Sequence, residues 1–246
     1  MTATHSTNQD YSAYASADYA VWRKLATRQL TALKKVACKD YNGCMKALYP
    51  TLSPDHPPRF TDLNRVLSAA HGWSIKVVPG LLPVDEFFVL LSQRRFCSST
   101  WLRNQDQLDY LEEPDMFHDI FGHIPLYLNA DYAEFARKLG ALGVKFKDDE
   151  EKVIQLQRIY WFTIEFGMIY EGDNKDLKVY GAGICSSSGE TKHIYENPKV
   201  EVIPFDLDEV ITQDFISTEV QMKYFAINSF VQLWEVIEEL EARWTE

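Results

Sequence analysis

FHDIFGHIPLY, residues 117–127, places His118 and His123 five positions apart in a stretch that is otherwise mostly apolar and aromatic. On a continuous α-helix a step of five sets two side chains roughly 140° apart, because the helix repeats every 3.6 residues. The i, i+4 spacing of zinc proteases, which puts both rings on one face, is not present here. Gly122 before His123 and Pro125 after it read as a helix end between the two rings. His118 then projects from the last turn and His123 from just beyond it, so the imidazoles can converge. The pair alone leaves two readings open: metal ligands, or histidines that are hydrogen-bonded separately.

A third ligand decides between them. IYWFTIEFGMIY, residues 159–170, carries one carboxylate, Glu165, inside a strongly apolar helical run. A carboxylate taken out of water is costly unless it is paired, protonated or bound to a metal. A salt bridge to a buried arginine, or exposure on one helix face, is the other possibility. With the histidines, Glu165 makes a set of two imidazoles and one carboxylate, which with open positions suits non-haem Fe(II) oxygen chemistry. Zinc uses the same ligands in hydrolases, although the histidine motif here lacks the glutamate that zinc proteases use as a base.

The rest of the chain reads as mainly α with a few short β-strands, in one domain over 17–246 behind a disordered tail over 1–16. Apolar spacing predicts a helix from Ala17 to Ala37. After the proline-rich 51–60, Thr61 caps a helix that runs to His71 and stops at Gly72. Trp73–Val78 reads as a strand, PGLLP as a turn and Val84–Arg95 as a helix. A helix begins near Glu113–Pro114, and Asp131–Leu139 and Glu150–Tyr170 follow as helices. YGAGICSSSGE, 180–190, reads as a loop, Lys192–Tyr195 and Val200–Ile203 as strands, and Phe225–Trp244 as a last helix. No internal repeat or interdomain linker is apparent.

Of 246 residues, 46% are hydrophobic and 13% aromatic, enough for one large domain with a sizeable core. The net charge of −11 argues against nucleic acid or an anionic membrane as partner. No apolar run approaches the roughly 20 residues of a membrane span, and the polar N-terminal stretch has no signal-peptide pattern. Cys38, Cys44, Cys97 and Cys185 form no CxxC pair and read as free thiols in a reducing compartment, the cytoplasm. The final helix has one apolar side (Phe230, Leu233, Val236, Leu240) and no sustained heptads, so a monomer is expected.

EPDMFHDIFGHIPL, YWFTIEFG and YGAGICSSSGE resemble three signature segments of the pterin-dependent aromatic amino acid hydroxylases. PGLLPVDEFF and RRFCSSTWLR resemble two more, in the same order and at the same spacing, so the resemblance covers roughly 17 to 234. It implies a helix-rich catalytic domain in which Fe(II) is held by His118, His123 and Glu165. It also implies tetrahydrobiopterin or a related tetrahydropterin as electron donor, and O2 as co-substrate. The pterin site maps to the backbone of Gly80, Leu81 and Leu82, to Phe87 stacked on the pterin, and to Asp119 and Tyr160, the last also near the iron. Arg103 is implied as the partner of the substrate carboxylate, through paired hydrogen bonds. Pro114, His118 and Trp161 are implied to line the aromatic pocket, with Tyr110 at its rim and Ser186 supporting the substrate and iron-ligand network. Glu190 matches a family acid without an assigned role.

The reaction implied is ring hydroxylation of a small aromatic amino acid, L-phenylalanine to L-tyrosine first. Attack at the meta position, or a tyrosine or tryptophan substrate, is the alternative within the family. A zinc hydrolase and a non-catalytic binder of an aromatic amino acid are the alternatives outside it. Leu111, Cys185 and Ser217 depart from the family pattern. Ser217 is expected in the pocket wall, where a small polar residue could shift the ring or admit a hydroxyl. A regulatory domain and a C-terminal tetramerisation arm, found in animal members, are not expected.

Overall fold

The protein is described here from a computed structural model over residues 8–109 and 113–245. Helix α1 (Ser16–Val36) buries Val21, Leu25, Gln29 and Leu33 along one stripe, the four-residue step of a helix face. Ahead of it, residues 8–15 were expected as tail but are tied to the body. Gln9 Nε2 donates to the Pro58 carbonyl at 2.9 Å, and its Oε1 accepts the Phe60 N–H at 2.8 Å. The Tyr14 hydroxyl donates to the Thr100 carbonyl at 2.8 Å. These are contacts across 50 to 90 residues, which a local reading of a polar stretch does not reveal. Residues 1–7 lie outside the described residues.

Helix α2 (Lys39–Leu48) precedes the proline-rich connection. Helix α3 (Phe60–His71) is capped at Arg59, without a side-chain hydrogen bond, so the expected cap Thr61 lies inside its first turn; it stops at Gly72 with φ 74°, as expected. Strand β1 (Ser74–Val77), helix α4 (Val84–Ser92) and strand β2 (Arg95–Ser98) form a βαβ unit whose strands pair in parallel, Ser74 opposite Arg95. The helix expected to reach Arg95 thus ends three residues early. Helix α5 (Ala130–Lys145) runs beyond the expected Leu139, and α6 (Glu150–Tyr160) follows. Both α4 and α10 (Phe230–Thr245) pack on α5.

A four-stranded sheet carries the C-terminal half. Its strands β3 (Met168–Glu171), β4 (Asp176–Val179), β5 (Glu201–Pro204) and β6 (Lys223–Ile227) lie in the order β4-β3-β6-β5. The pair β3–β4 is antiparallel, and β6 is parallel to both its neighbours. Two expected helices give way to strands here. Glu150–Tyr170 ends as helix at Glu165 and continues into β3, while the start of Phe225–Trp244 belongs to β6. A strand buried on both faces is a continuous apolar run, which periodicity cannot tell from buried helix. The expected 180–190 loop instead holds helices α7 (Ala182–Ser186) and the start of α8 (Ser188–Glu196), and α8 absorbs the expected strand Lys192–Tyr195. Its glycines and serines are weak helix formers, and tertiary packing overrides that preference. Helix α9 (Leu207–Thr212) links β5 to the loop before β6.

Candidate active site

His118–His123 is a single π turn, followed by a 3-10 turn over Ile124–Leu128. The helix therefore does not end between the histidines, as Gly122 and Pro125 had implied. It widens, and i→i+5 closure returns residues five apart to nearly the same side. Gly122 serves a different purpose. A Cβ there would stand 2.8 Å from the Ala182 carbonyl oxygen, so its absence lets α7 close on the turn. A second π turn, Trp161–Glu165, presents the carboxylate, with the Phe166 N–H donating to the Trp161 carbonyl at 2.9 Å. Single π turns of this kind are frequent at functional sites.

The three groups meet. His118 Nε2 and His123 Nε2 are 3.1 Å apart; Glu165 Oε1 lies 3.2 Å from His123 Nε2, and Oε2 lies 3.6 Å from His118 Nε2. The proton on His118 is assigned by its neighbour. Ser186 Oγ donates its one proton to the Ala182 carbonyl at 2.8 Å, so at 2.9 Å from His118 Nδ1 it can only accept. Nδ1 therefore carries the hydrogen and Nε2 presents a lone pair to the centre. Burial favours the neutral ring and, against the pull of Glu165, pushes the His118 pKa down to about 4. Burial works against the Glu165 carboxylate too, but the two imidazoles and Tyr160 outweigh it and hold that pKa down to about 2. Both groups are thus in their ligating forms at neutral pH. A proton on His123 Nε2 can satisfy one of its two facing acceptors, whereas a metal ion satisfies all three groups, so the set fits a divalent cation.

Beside the triad opens a cavity of about 310 Å³. Gly80, Leu81, Leu82 and Phe87 line it, with Asp119 and Tyr160, so all six residues implied for a pterin face one space. Phe87 meets Tyr160 edge-on, with ring centroids 5.1 Å apart. Asp119 accepts the Ser99 N–H at 2.9 Å; burial nevertheless raises its carboxyl pKa to about 7. Pro114, His118 and Trp161 complete the aromatic side.

Residues 3–244 match the profile of the family described as biopterin-dependent aromatic amino acid hydroxylase. The chain belongs to that family. A phenylalanine-4-hydroxylase of Chromobacterium violaceum is 40% identical over 222 residues, 90% of this chain and 73% of the relative. A crystal structure of the C. violaceum phenylalanine hydroxylase with bound oxidised Fe(III) superposes with a TM-score of 0.89 at 38% identity, over 96% of this chain and 83% of that one. Another, with iron(III) and oxidised 7,8-dihydrobiopterin, gives 0.88 at 37% identity, over 97% and 87%.

Several residues of this hydroxylase lie elsewhere than the sequence placed them. Arg103 does not line the cavity; it is buried against Asp115, with Nε to Oδ2 at 2.9 Å and Nη2 to Oδ1 at 2.8 Å. Asp115 Oδ1 also accepts the His118 N–H at 3.1 Å, so this ion pair braces the first metal-facing turn. Ser217 is exposed on the loop before β6 and is not part of the cavity wall; Phe215 takes that place. Cys185 is buried in α7 away from the cavity, and its carbonyl accepts from Gln29 Nε2 at 2.8 Å. Tyr110 and Leu111 lie outside the described residues. Phe96, Cys97 and Gln157 also line the cavity; the first two sit in the RRFCSSTWLR segment but carried no assigned role, and nothing in the sequence marked Gln157. Phe96 sits on the inward face of β2, with its ring 4.5 Å from that of His123.

The proton assignment has a direct test. Ser186→Ala removes the acceptor at His118 Nδ1 and is expected to weaken metal binding about 10- to 100-fold. A competitive chelator titration measures this; unchanged affinity would mean that Ser186 does not set the tautomer.

Proposed function

We propose that the protein is a phenylalanine 4-hydroxylase, converting L-phenylalanine to L-tyrosine with Fe(II), a tetrahydropterin and O2. The observation that carries this reading is the two-histidine, one-carboxylate set opening onto a cavity with aromatic walls on two sides. Bacterial relatives and structural neighbours named phenylalanine hydroxylase support the choice of substrate. His118, His123 and Glu165 would hold the iron. The Gly80–Leu82 backbone, Phe87, Asp119 and Tyr160 would hold the pterin. When bound, iron and pterin together supply the activation of dioxygen and the electrons for it.

The chain's own residues orient and exclude. Ser186 keeps the His118 proton on Nδ1, and Asp115 steadies both the His118 backbone and Arg103. Asp115 takes Nε and Nη2 of Arg103, which lies outside the cavity lining, so this pair acts by bracing the His118 turn. Val84, Phe88 and Phe96 keep the cavity wall apolar, so the ring of an aromatic side chain displaces water on entry. Trp161 and Pro114 would flank that ring. With the family shown and three ligands already converged, a zinc hydrolase or a mere binder has no observation in its favour.

The reading includes action as a monomer in the cytoplasm; the four unpaired cysteines support the compartment. Among the described residues no helix is long and apolar enough to cross a membrane. One chromatographic assay tests the activity: purified protein, Fe(II), tetrahydropterin, O2 and phenylalanine, with tyrosine and tryptophan in parallel. para-Tyrosine is the expected product. meta-Tyrosine, or product from another amino acid alone, would move the substrate or ring position, and no hydroxylation of any of the three would overturn the reading.

A further inference from the structure

Glu190 is the third residue of α8, where Ser187-Ser188-Gly189-Glu190 has the S-x-x-E pattern of a capping box. Ser187 performs its half, accepting the Glu190 N–H at 3.2 Å. The carboxylate goes elsewhere. It is 8% exposed, and it accepts the Tyr224 hydroxyl at 2.7 Å and the Gln221 backbone N–H at 3.4 Å. Gln221, 7% exposed, is saturated in turn. Its Oε1 accepts the Trp161 indole N–H at 3.0 Å, and its Nε2 donates to the carbonyls of Ile216 at 3.1 Å and Glu219 at 3.0 Å. An indole can only donate and a carbonyl can only accept, so the amide has one possible orientation.

Trp161 forms part of the cavity wall and opens the π turn that ends at Glu165. Phe215, which lines the same cavity, stacks on its ring at 4.4 Å and 14°, and Phe166 packs on it at 4.7 Å, tilted by 40°. Four residues before Glu190, Ser186 holds His118. One short segment, 186–190, therefore reaches a metal-facing histidine at one end and the aromatic wall at the other. Filling this space with apolar side chains would close the core as well, and a buried polar network adds fixed directions that apolar packing lacks.

We propose that Glu190 and Gln221 are positioning residues for the aromatic substrate: through Gln221 they fix the height and tilt of Trp161 relative to His118, His123 and Glu165, and so select which ring carbon is hydroxylated. The proposal rests on the hydroxylase reading above. A network that merely stabilised the fold would change stability and leave substrate KM and the product isomer alone.

Gln221→Met keeps the volume and removes the three side-chain hydrogen bonds. Tyr224→Phe removes a single hydroxyl one bond further out, and it decides the matter if the first variant does not fold. Three readouts are taken: indole N–H exchange of Trp161 by NMR on metal-free protein, KM for phenylalanine, and tyrosine isomers per pterin oxidised. In Gln221→Met the indole proton is expected to exchange at least about tenfold faster, and KM to rise roughly five- to tenfold, as for one or two net hydrogen bonds. Iron content should be unchanged, meta-tyrosine should appear, and less tyrosine should form per pterin consumed. Tyr224→Phe should move the same readouts the same way by less. Wild-type KM and para-tyrosine as sole product in a folded Gln221→Met, or no change of any readout in Tyr224→Phe where that variant alone folds, would overturn the proposal. No product from the wild-type enzyme would overturn the hydroxylase reading and this proposal with it, an outcome visible in the wild-type reaction alone.

Discussion

Glu165→Gln is expected to give a folded protein that no longer retains Fe(II). Glutamine keeps the shape of the side chain and removes its charge. The carboxylate oxygens face His123 Nε2 at 3.2 Å and His118 Nε2 at 3.6 Å; in the amide the NH2 can turn to the His118 lone pair and the carbonyl oxygen to a proton on His123, so the metal-free centre loses little and its melting temperature should stay near that of the metal-free wild type. The metal loses its one anionic ligand. Changing an outer partner of a ligand already costs about 10- to 100-fold in affinity; removing the charged ligand itself should exceed that and abolish tyrosine formation. Metal analysis after loading and dialysis, beside a thermal melt, measures both. Stoichiometric iron with near wild-type turnover would show that Glu165 is not a ligand. Loss of folding would show that the carboxylate is needed for structure, although its neighbours already offer a neutral donor network.

The triad was legible from side-chain chemistry rather than from geometry. Two histidines in apolar company, and one carboxylate in an apolar run, each pose a desolvation problem that a shared cation solves. The way the chain brings them together was not legible. A 3.6-residue period puts His118 and His123 on different sides, and the π turn that corrects this depends on α7 closing over Gly122, a contact 60 residues away in sequence. Arg103 was legible as a cation suited to a carboxylate, but its pairing with Asp115 was not, and that pairing takes two of its donor nitrogens. Ser217 was chosen by family position; the loop turns it outward and Phe215 inward, with no periodicity to say so. Gln221 sits in DFISTEVQMK, residues 214–223, which carries no motif, and it becomes informative only once Trp161, Glu190 and Tyr224 surround it. Helix ends fared best where one residue decides them, as Gly72 does for α3. Strands buried on both faces fared worst, as in β6.

Gly181→Ala sets two rules of thumb against each other. Gly181 has φ −60° and ψ 136°, a conformation any residue adopts. Backbone entropy alone would therefore make alanine stabilising by about 0.4–1 kcal/mol. Space decides otherwise. A Cβ at 181 would stand 2.4 Å from the Glu165 carbonyl oxygen and 2.6 Å from the Gly167 nitrogen. Both are backbone atoms, and Gly167 is held there, its N–H donating to the Thr163 carbonyl at 2.9 Å and its carbonyl accepting the Gly181 N–H at 3.0 Å. Overpacking against such partners costs about 1–3 kcal/mol; less the entropy gain, a net loss of roughly 0.5–2 kcal/mol is left, which lowers the melting temperature by roughly 1–8 °C for a chain of this size. Because the displaced atom belongs to Glu165, metal affinity should fall as well. Gly43→Ala is the control. Gly43 is exposed inside α2, where a Cβ would meet nothing within 4 Å, and the same substitution there should stabilise by about 0.8–1 kcal/mol through helix propensity. Thermal melts and chelator titrations of the two variants should move in opposite directions in stability, with metal affinity changed in Gly181→Ala alone. If Gly181→Ala melts no lower than Gly43→Ala and keeps wild-type metal affinity, the close approach of the 180–182 backbone to the Glu165 turn is not what fixes that ligand.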